Sequence, residues 1–99
     1  MDFKVLITDT AVADLREIVE FVAGDDQEAA RRLGVKLIAA GLSLEKMPER
    51  FPIHDRDRAI HKMSLPPYLI FYRCEPAAGA VYILHFWHGA RRQPRFGKE

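Results

Sequence analysis

The stretch "VYILHFWHGARR" (81–92) begins as a run of strand-forming residues and ends in groups that could do chemistry. Guanidinium groups suit phosphates and also suit the carboxylates of a protein partner. Imidazole groups titrate near neutral pH and can act as acids or bases. Further basic side chains precede this stretch, and they point to an anion-binding surface or to a solvated sheet edge protected by charge. The whole set is Arg56, Arg58, His61, Lys62, Arg73, His85, His88, Arg91 and Arg92.

Other chemistries are not supported by the residues present. His85 and His88 are three apart on a strand, which places them on opposite faces, and no cysteine or carboxylate cluster completes a metal site. The sequence has no glycine-rich phosphate loop, no GxSxG elbow and no nucleophile beside an evident base. We therefore expect neither a metal nor a cofactor. The one cysteine, Cys74, rules out an internal disulfide and is interpreted as a packed strand residue.

Length and charge limit the possibilities further. Ninety-nine residues with 48% hydrophobic and 29% charged side chains indicate one compact domain over residues 1–99. Residues 1–49 hold 6 Lys/Arg against 10 Asp/Glu, whereas residues 50–99 hold 9 Lys/Arg and all 4 histidines against 4 Asp/Glu. A basic second half favours an acidic or polyanionic partner. The sequence shows neither a signal-peptide pattern nor an apolar run of about 20 residues, so we expect a cytoplasmic protein without a membrane partner.

Periodicity supplies the elements that would position these groups. A strand is predicted over 3–8 and a helix over 10–23, and after "AGDD" a second apolar stripe predicts a helix that stops before Pro48. Three strand-like segments follow, at 58–63, 68–74 and 81–88. The predicted fold is α+β: a strand, a helical hairpin, and a three-stranded antiparallel meander, with the hairpin covering one sheet face.

Two finer expectations concern packing. Simple alternation along the last strand places Val81, Ile83, His85 and Trp87 on one face and Tyr82, Leu84, Phe86 and His88 on the other. Both sets are apolar enough to be core. Gly34 and Gly41 lie seven apart on the second helix, where they either let the first helix approach closely or simply weaken the helix.

Four segments together resemble the RelE/ParE superfamily of toxins from bacterial type II toxin–antitoxin modules. They are "AVADLREIVEFVA", "LEKMPERFP", "PPYLIFYR" and "ILHFWHGARR", in that order and over nearly the whole chain. The resemblance implies a small toxin of the predicted fold, held inactive by a cognate antitoxin. It also implies one of two targets: messenger RNA cut in the ribosome in the RelE branch, or DNA gyrase in the ParE branch.

Departures from the family pattern help to choose between the branches. The RNA-cutting branch often has an arginine directly after the tyrosine that matches Tyr68, where this chain has Leu69. Many of those nucleases also have a tyrosine near the C-terminus, where this chain offers only Phe96. Four groups could still serve a nuclease, and they are the candidate catalytic residues: Lys62, Arg91, His61 and His88.

We therefore expect a ParE-like gyrase inhibitor, with a RelE-like ribosome-dependent endoribonuclease as the alternative and an inactive partner-binding domain as the third hypothesis. His88, Arg91 and Arg92 are predicted to leave the sheet at a turn permitted by Gly89 and to form one cluster near Arg73. Trp87 would anchor that turn. The candidate binding residues are Arg73, His85, Trp87 and Arg92. The expected partners are an acidic antitoxin and either gyrase or ribosome-bound mRNA.

Overall fold

The structure is a computed structural model that describes residues 2–91, and Arg92 and Phe96 lie outside the described residues. One mixed sheet has the strand order β1-β5-β4-β3-β2, and two helices cover one of its faces. The elements are β1 (Lys4–Ile7), α1 (Asp9–Ala23), α2 (Gln27–Leu42), β2 (Ile53–Asp55), β3 (Ile60–Leu65), β4 (Tyr68–Glu75) and β5 (Ala80–His88). The expected α+β fold, with strand, helical hairpin and antiparallel meander, is confirmed. Neither helix within residues 2–91 is long and apolar enough to cross a membrane.

The junction between β1 and α1 is fixed by one threonine. The Thr8 hydroxyl accepts a hydrogen bond from the Ala11 amide (3.2 Å), which satisfies a free N–H in the first helical turn. The same hydroxyl donates to the Ile83 carbonyl (2.8 Å). Because β1 pairs in parallel with β5, this residue ties the start of α1 to the middle of the last strand.

The core lies between the helices and the sheet, and two glycines of α2 have different neighbours in it. A Cβ at Gly34 would lie 3.3 Å from Val19 of α1, so this glycine does let the two helices approach. A Cβ at Gly41 would lie 2.7 Å from the Cδ1 atom of Ile83. The expectation that Gly41 serves the first helix is therefore wrong, because its close neighbour belongs to the sheet.

The segment between α2 and β3 differs from the sequence-based expectation. α2 ends at Leu42, where a 3-10 turn at Ser43–Glu45 replaces its predicted last turn, and a second 3-10 turn follows at Pro48–Arg50. The short strand β2 was not predicted, and it pairs antiparallel with the start of β3. The strand predicted at 58–63 starts later than residue 58, because residues 56–59 form a turn.

A β-bulge in β5 changes which side chains face the helices. Phe71 pairs with His85 and Tyr72 pairs with Ile83, so Leu84 is an extra residue in β5. The bulge shifts the alternation, and the core receives Val81, Ile83 and Phe86. The simple division of β5 into two faces is therefore wrong beyond the bulge.

Candidate functional site

The chain turns out of β5 beside α1, and the two elements enclose an open cavity of about 470 Å³. His88 pairs with Tyr68 at the start of β4, and their rings lie edge to face, with centroids 5.3 Å apart. Arg91 comes from the turn after β5. The cavity is lined by Glu17, Ile18, Phe21, Tyr68, His88 and Arg91. It therefore combines an apolar wall with a cation and a carboxylate at one end of the sheet.

Arg91 is held in this position by two side chains. Its guanidinium carbon lies 4.6 Å from the centroid of the Trp87 ring, within the range of a cation–π contact. Its Nη1 atom lies 3.8 Å from a carboxylate oxygen of Glu17 on α1. Both Arg91 and Glu17 keep most of their side chains in solvent, so the guanidinium is still able to bind a further anion.

Backbone hydrogen bonds shape the turn that presents Arg91. The Gly89 N–H donates to the Pro67 carbonyl (2.7 Å), and the Arg91 N–H donates to the His88 carbonyl (3.0 Å). A Cβ at Gly89 would lie 2.9 Å from the same Pro67 oxygen. Gly89 is thus required for close approach of two backbone segments, and among the described glycines only Gly79 has a positive φ. The Ala90 N–H donates to Nδ1 of His88 (3.1 Å), which orients that imidazole.

Arg73 does not belong to this end of the sheet. It pairs with Tyr82, whereas Tyr68 pairs with His88, so Arg73 lies five residues further along β4. At about 3.3 Å per residue this separates it from the Tyr68–His88 pair by roughly 17 Å. Its side chain bonds Glu75 (Nε to Oε2 3.0 Å) and lies over the Tyr82 ring. The predicted cluster of Arg91 with Arg73 is therefore wrong.

His61 is placed in the interior. Only 7% of it is exposed, its Nδ1 lies 2.8 Å from the Phe51 carbonyl oxygen, and its ring stacks on Tyr72. The Tyr72 hydroxyl in turn donates to the Pro48 carbonyl, and burial raises the pKa of this phenol. These contacts give His61 a packing role at the junction between β3 and the turns after α2.

Lys62 lies on the other face of β3, opposite Phe71 of β4. His54 of β2 contacts the same Phe71, with ring centroids 4.8 Å apart. Burial lowers the pKa of His54, and the positive charge of Lys62 lowers it further. The sheet face away from the helices thus carries a lysine beside a histidine that favours its neutral form.

His85 connects this face to α1. It pairs with Phe71, and its Nδ1–H donates to the carboxylate of Asp14 (2.7 Å). Its ring also lies edge to face with Trp87, with centroids 5.3 Å apart. The His85–Asp14 pair links β5 to α1. Both side chains are about one-fifth exposed, so the pair also presents polar atoms to the solvent.

The comparisons with known proteins address the family directly. The family described as "ParE toxin of type II toxin-antitoxin system, parDE" matches residues 5–93. The chain belongs to this ParE toxin family. The expected role as the toxin of a type II toxin–antitoxin system, neutralised by an antitoxin, is thereby confirmed. A comparison with curated proteins finds no match.

Two solved structures support the fold of this ParE-family toxin. A chain of the toxin–antitoxin complex RelBE2 from Mycobacterium tuberculosis is 20% identical, with a TM-score of 0.70 over 92% of this chain and 95% of that one. A chain of the chromosomal ParDE toxin–antitoxin system from P. aeruginosa is 17% identical, with a TM-score of 0.74 over 87% of this chain and 95% of that one.

Sequence reasoning missed several residues of the ParE-family toxin's candidate site. Phe21 gave a usable signal, because it departs from the apolar stripe of α1 and is nevertheless a large aromatic residue, and it is 85% exposed at the cavity. Glu17 gave no signal, because in the sequence it is one of several charged residues on the polar side of the first helix. His54 was overlooked because β2 was not predicted, so nothing placed it beside Lys62.

Proposed function

We propose that this ParE-family toxin acts in the cytoplasm and stops growth by binding DNA gyrase, without cleaving RNA. The observation that carries the proposal is the separation of the candidate catalytic groups. Lys62, His61, His88 and Arg91 come from both faces of the sheet and from different ends of it. A general acid or base must lie within about 3 Å of the proton it transfers, directly or through one water.

The separations follow from the strand register. Lys62 pairs with Phe71 and His88 pairs with Tyr68, so they are two strands and three residues apart. With strands about 4.8 Å apart and residues about 3.3 Å apart, their backbones are separated by roughly 14 Å. They also lie on opposite faces. His61 lies on the same face of the sheet as His88. It pairs with Tyr72, four residues along β4 from the Tyr68 that pairs with His88, and it is buried. This register argues against Lys62, His61 and His88 acting together on one phosphodiester.

Binding needs only the group of side chains that the structure does bring together. Exposed Arg91 and the half-buried His88 and Trp87 form a basic end beside the cavity, and the Gly89 turn holds them in one arrangement. A guanidinium fixed against an aromatic ring is suited to a carboxylate on a protein surface. We therefore assign target binding to this end, with Arg91 as its main cation.

The same end suits the antitoxin. An acidic segment that is disordered when free and folds on binding would be attracted by Arg91, and an apolar side chain could enter the cavity beside Phe21 and Ile18. Charge attraction would speed the encounter, and the apolar anchor would slow release. Neutralisation would then result from covering the surface that binds the target.

A RelE-like ribonuclease is the second candidate, and one observation favours it. Lys62 pairs with Phe71, and His54 contacts the ring of the same Phe71 on the sheet face away from the helices. Burial and the charge of Lys62 both lower the pKa of His54, which favours its neutral form. A lysine could stabilise charge on a phosphate while a neutral histidine accepts a proton. This site would use Lys62 without His61, His88 or Arg91.

One experiment in growing cells separates the two candidates. The chain is induced without its antitoxin, and new 5′ ends in messenger RNA and the supercoiling of a reporter plasmid are measured together. The gyrase proposal predicts loss of negative supercoiling before any new RNA ends, for both the parent chain and Lys62→Ala. New RNA ends that disappear in Lys62→Ala would contradict it and support the nuclease.

A further inference from the structure

α2 carries a second apolar surface that the site at the end of the sheet does not use. Its core face is formed by Ala30, Leu37 and Gly41, which are buried. Val35, Ile38 and Leu42 lie off that face, yet they remain between 37% and 59% exposed. Three large apolar side chains in one exposed row on a helix indicate a surface that another molecule covers.

The row has the spacing of a helix-packing seam. From Val35 to Ile38 is three residues and from Ile38 to Leu42 is four, as in the a and d positions of a heptad. The same three- and four-residue steps continue to Arg31 on one side and to Glu45 on the other. We call these five residues, Arg31, Val35, Ile38, Leu42 and Glu45, the α2 seam.

The charges at the ends of the α2 seam are opposite and lie the same number of residues from its centre. Arg31 is seven residues before Ile38, and Glu45 is seven residues after it. At about 1.5 Å per residue in α2 and about 2 Å per residue in the 3-10 turn, Arg31 and Glu45 lie roughly 10 Å and roughly 12 Å from the centre. Arg31 is an exposed residue that also bonds Glu28 within its own helix, and Glu45 is exposed in the 3-10 turn that extends α2.

We infer that the α2 seam is a self-association surface, on which a second copy of this chain packs its own α2 antiparallel, with Ile38 on the two-fold axis. In that arrangement Arg31 of each copy lies opposite Glu45 of the other, and the apolar residues meet between them. A parallel arrangement would oppose Arg31 to Arg31 and Glu45 to Glu45, so the charges select the antiparallel one. This surface lies on the helical hairpin, separate from the proposed gyrase-binding end.

The size of the seam sets the expected strength. Three apolar side chains from each copy form a smaller contact than the standard interface of about 1,200–2,000 Å². The dimer should therefore be weak, with a dissociation constant above about 1 µM, and it should form when the toxin is concentrated or when complexes with antitoxin bring copies together.

The test is sedimentation of the full chain, freed from co-expressed antitoxin, from about 1 µM to about 500 µM, a range that spans weak association. The parent chain should change from the mass of one copy to that of two. Arg31→Glu and Glu45→Arg should each weaken association at least tenfold, and the double variant should recover it. Lys36→Glu, which changes an exposed charge on the same helix away from the seam, should leave it unchanged.

Cross-linking supplies an independent readout of the geometry. Ile38→Cys should give a disulfide-linked dimer on mild oxidation, because its two copies meet at the axis, whereas Lys36→Cys should not, and the parental Cys74 is buried. A chain that stays monomeric at every concentration would overturn the inference. A dimer whose dissociation constant is unchanged by both Arg31→Glu and Glu45→Arg would also overturn it. So would a monomeric chain in which Arg31→Glu weakens only antitoxin binding, since the seam would then belong to the antitoxin.

Discussion

Arg91→Ala should abolish toxicity while changing stability little, and the structure supplies the size of both effects. The ion pair between Arg91 and Glu17 is long (3.8 Å), and both side chains are more than half exposed. It therefore contributes at most about 1 kcal/mol to the free energy of unfolding. The contact with Trp87 adds about 0.5–1 kcal/mol for an exposed cation–π pair. A loss of about 1 kcal/mol lowers the melting temperature of a chain this size by roughly 4–8 °C.

The loss of function should be far larger. Truncating one member of a hydrogen-bonded charge pair in an interface costs about 2–5 kcal/mol, which weakens binding by at least about 30-fold. The assay is growth after induction, together with the concentration of purified chain that half-inhibits gyrase supercoiling and a thermal melt of the same preparation.

Arg73→Ala is the matched control for Arg91→Ala. Arg73 also contacts one carboxylate and one aromatic ring, at Glu75 and Tyr82, but it lies at the other end of β4. Its loss should lower the melting temperature by a similar amount and leave toxicity intact. A fully toxic Arg91→Ala, or equal loss of toxicity in both variants, would refute the assignment of target binding to the Arg91 end.

Three further predictions concern stability. Tyr72→Phe leaves the Pro48 carbonyl without its buried donor and should cost about 1–3 kcal/mol in chemical denaturation. Gly89→Ala places a Cβ 2.9 Å from the Pro67 carbonyl oxygen and should lower the melting temperature, with an unchanged value as the contrary result. Burial raises the pKa of the Cys74 thiol from 9.0 to about 11. Its contribution to stability is therefore complete below pH 9 and lost as pH rises towards 11, and Cys74→Ala should flatten the fall in stability across that range.

The elements with strong periodicity were predictable from sequence. The two apolar stripes and the break at "AGDD" (23–26) indicate the helical hairpin, and in the structure Thr8 and Asp26 accept hydrogen bonds from the first turns of its helices. β4 and β5 are long and rich in β-branched and aromatic residues. β2 has only three residues, "IHD", which carry no alternation for a pattern to detect.

The arrangement of the site was less predictable, for two physical reasons. Ile83, Leu84 and Phe86 are all apolar, so either phase of β5 could face the core, and only the bulge decides between them. The distance between Arg73 and the basic end depends on the register of the β4–β5 hairpin. That register pairs Arg73 with Tyr82 near the hairpin loop, while His88 and Arg91 lie at the opposite end. Residue types indicated an anion-binding surface, but register determined which cations share it.

The most direct test of the central claim is a supercoiling assay with purified gyrase, run beside RNA cleavage on translating ribosomes with the same preparation of this chain. The account predicts that the chain inhibits supercoiling, that added antitoxin reverses the inhibition, and that the RNA remains intact. Cleaved RNA together with unaffected gyrase would contradict it.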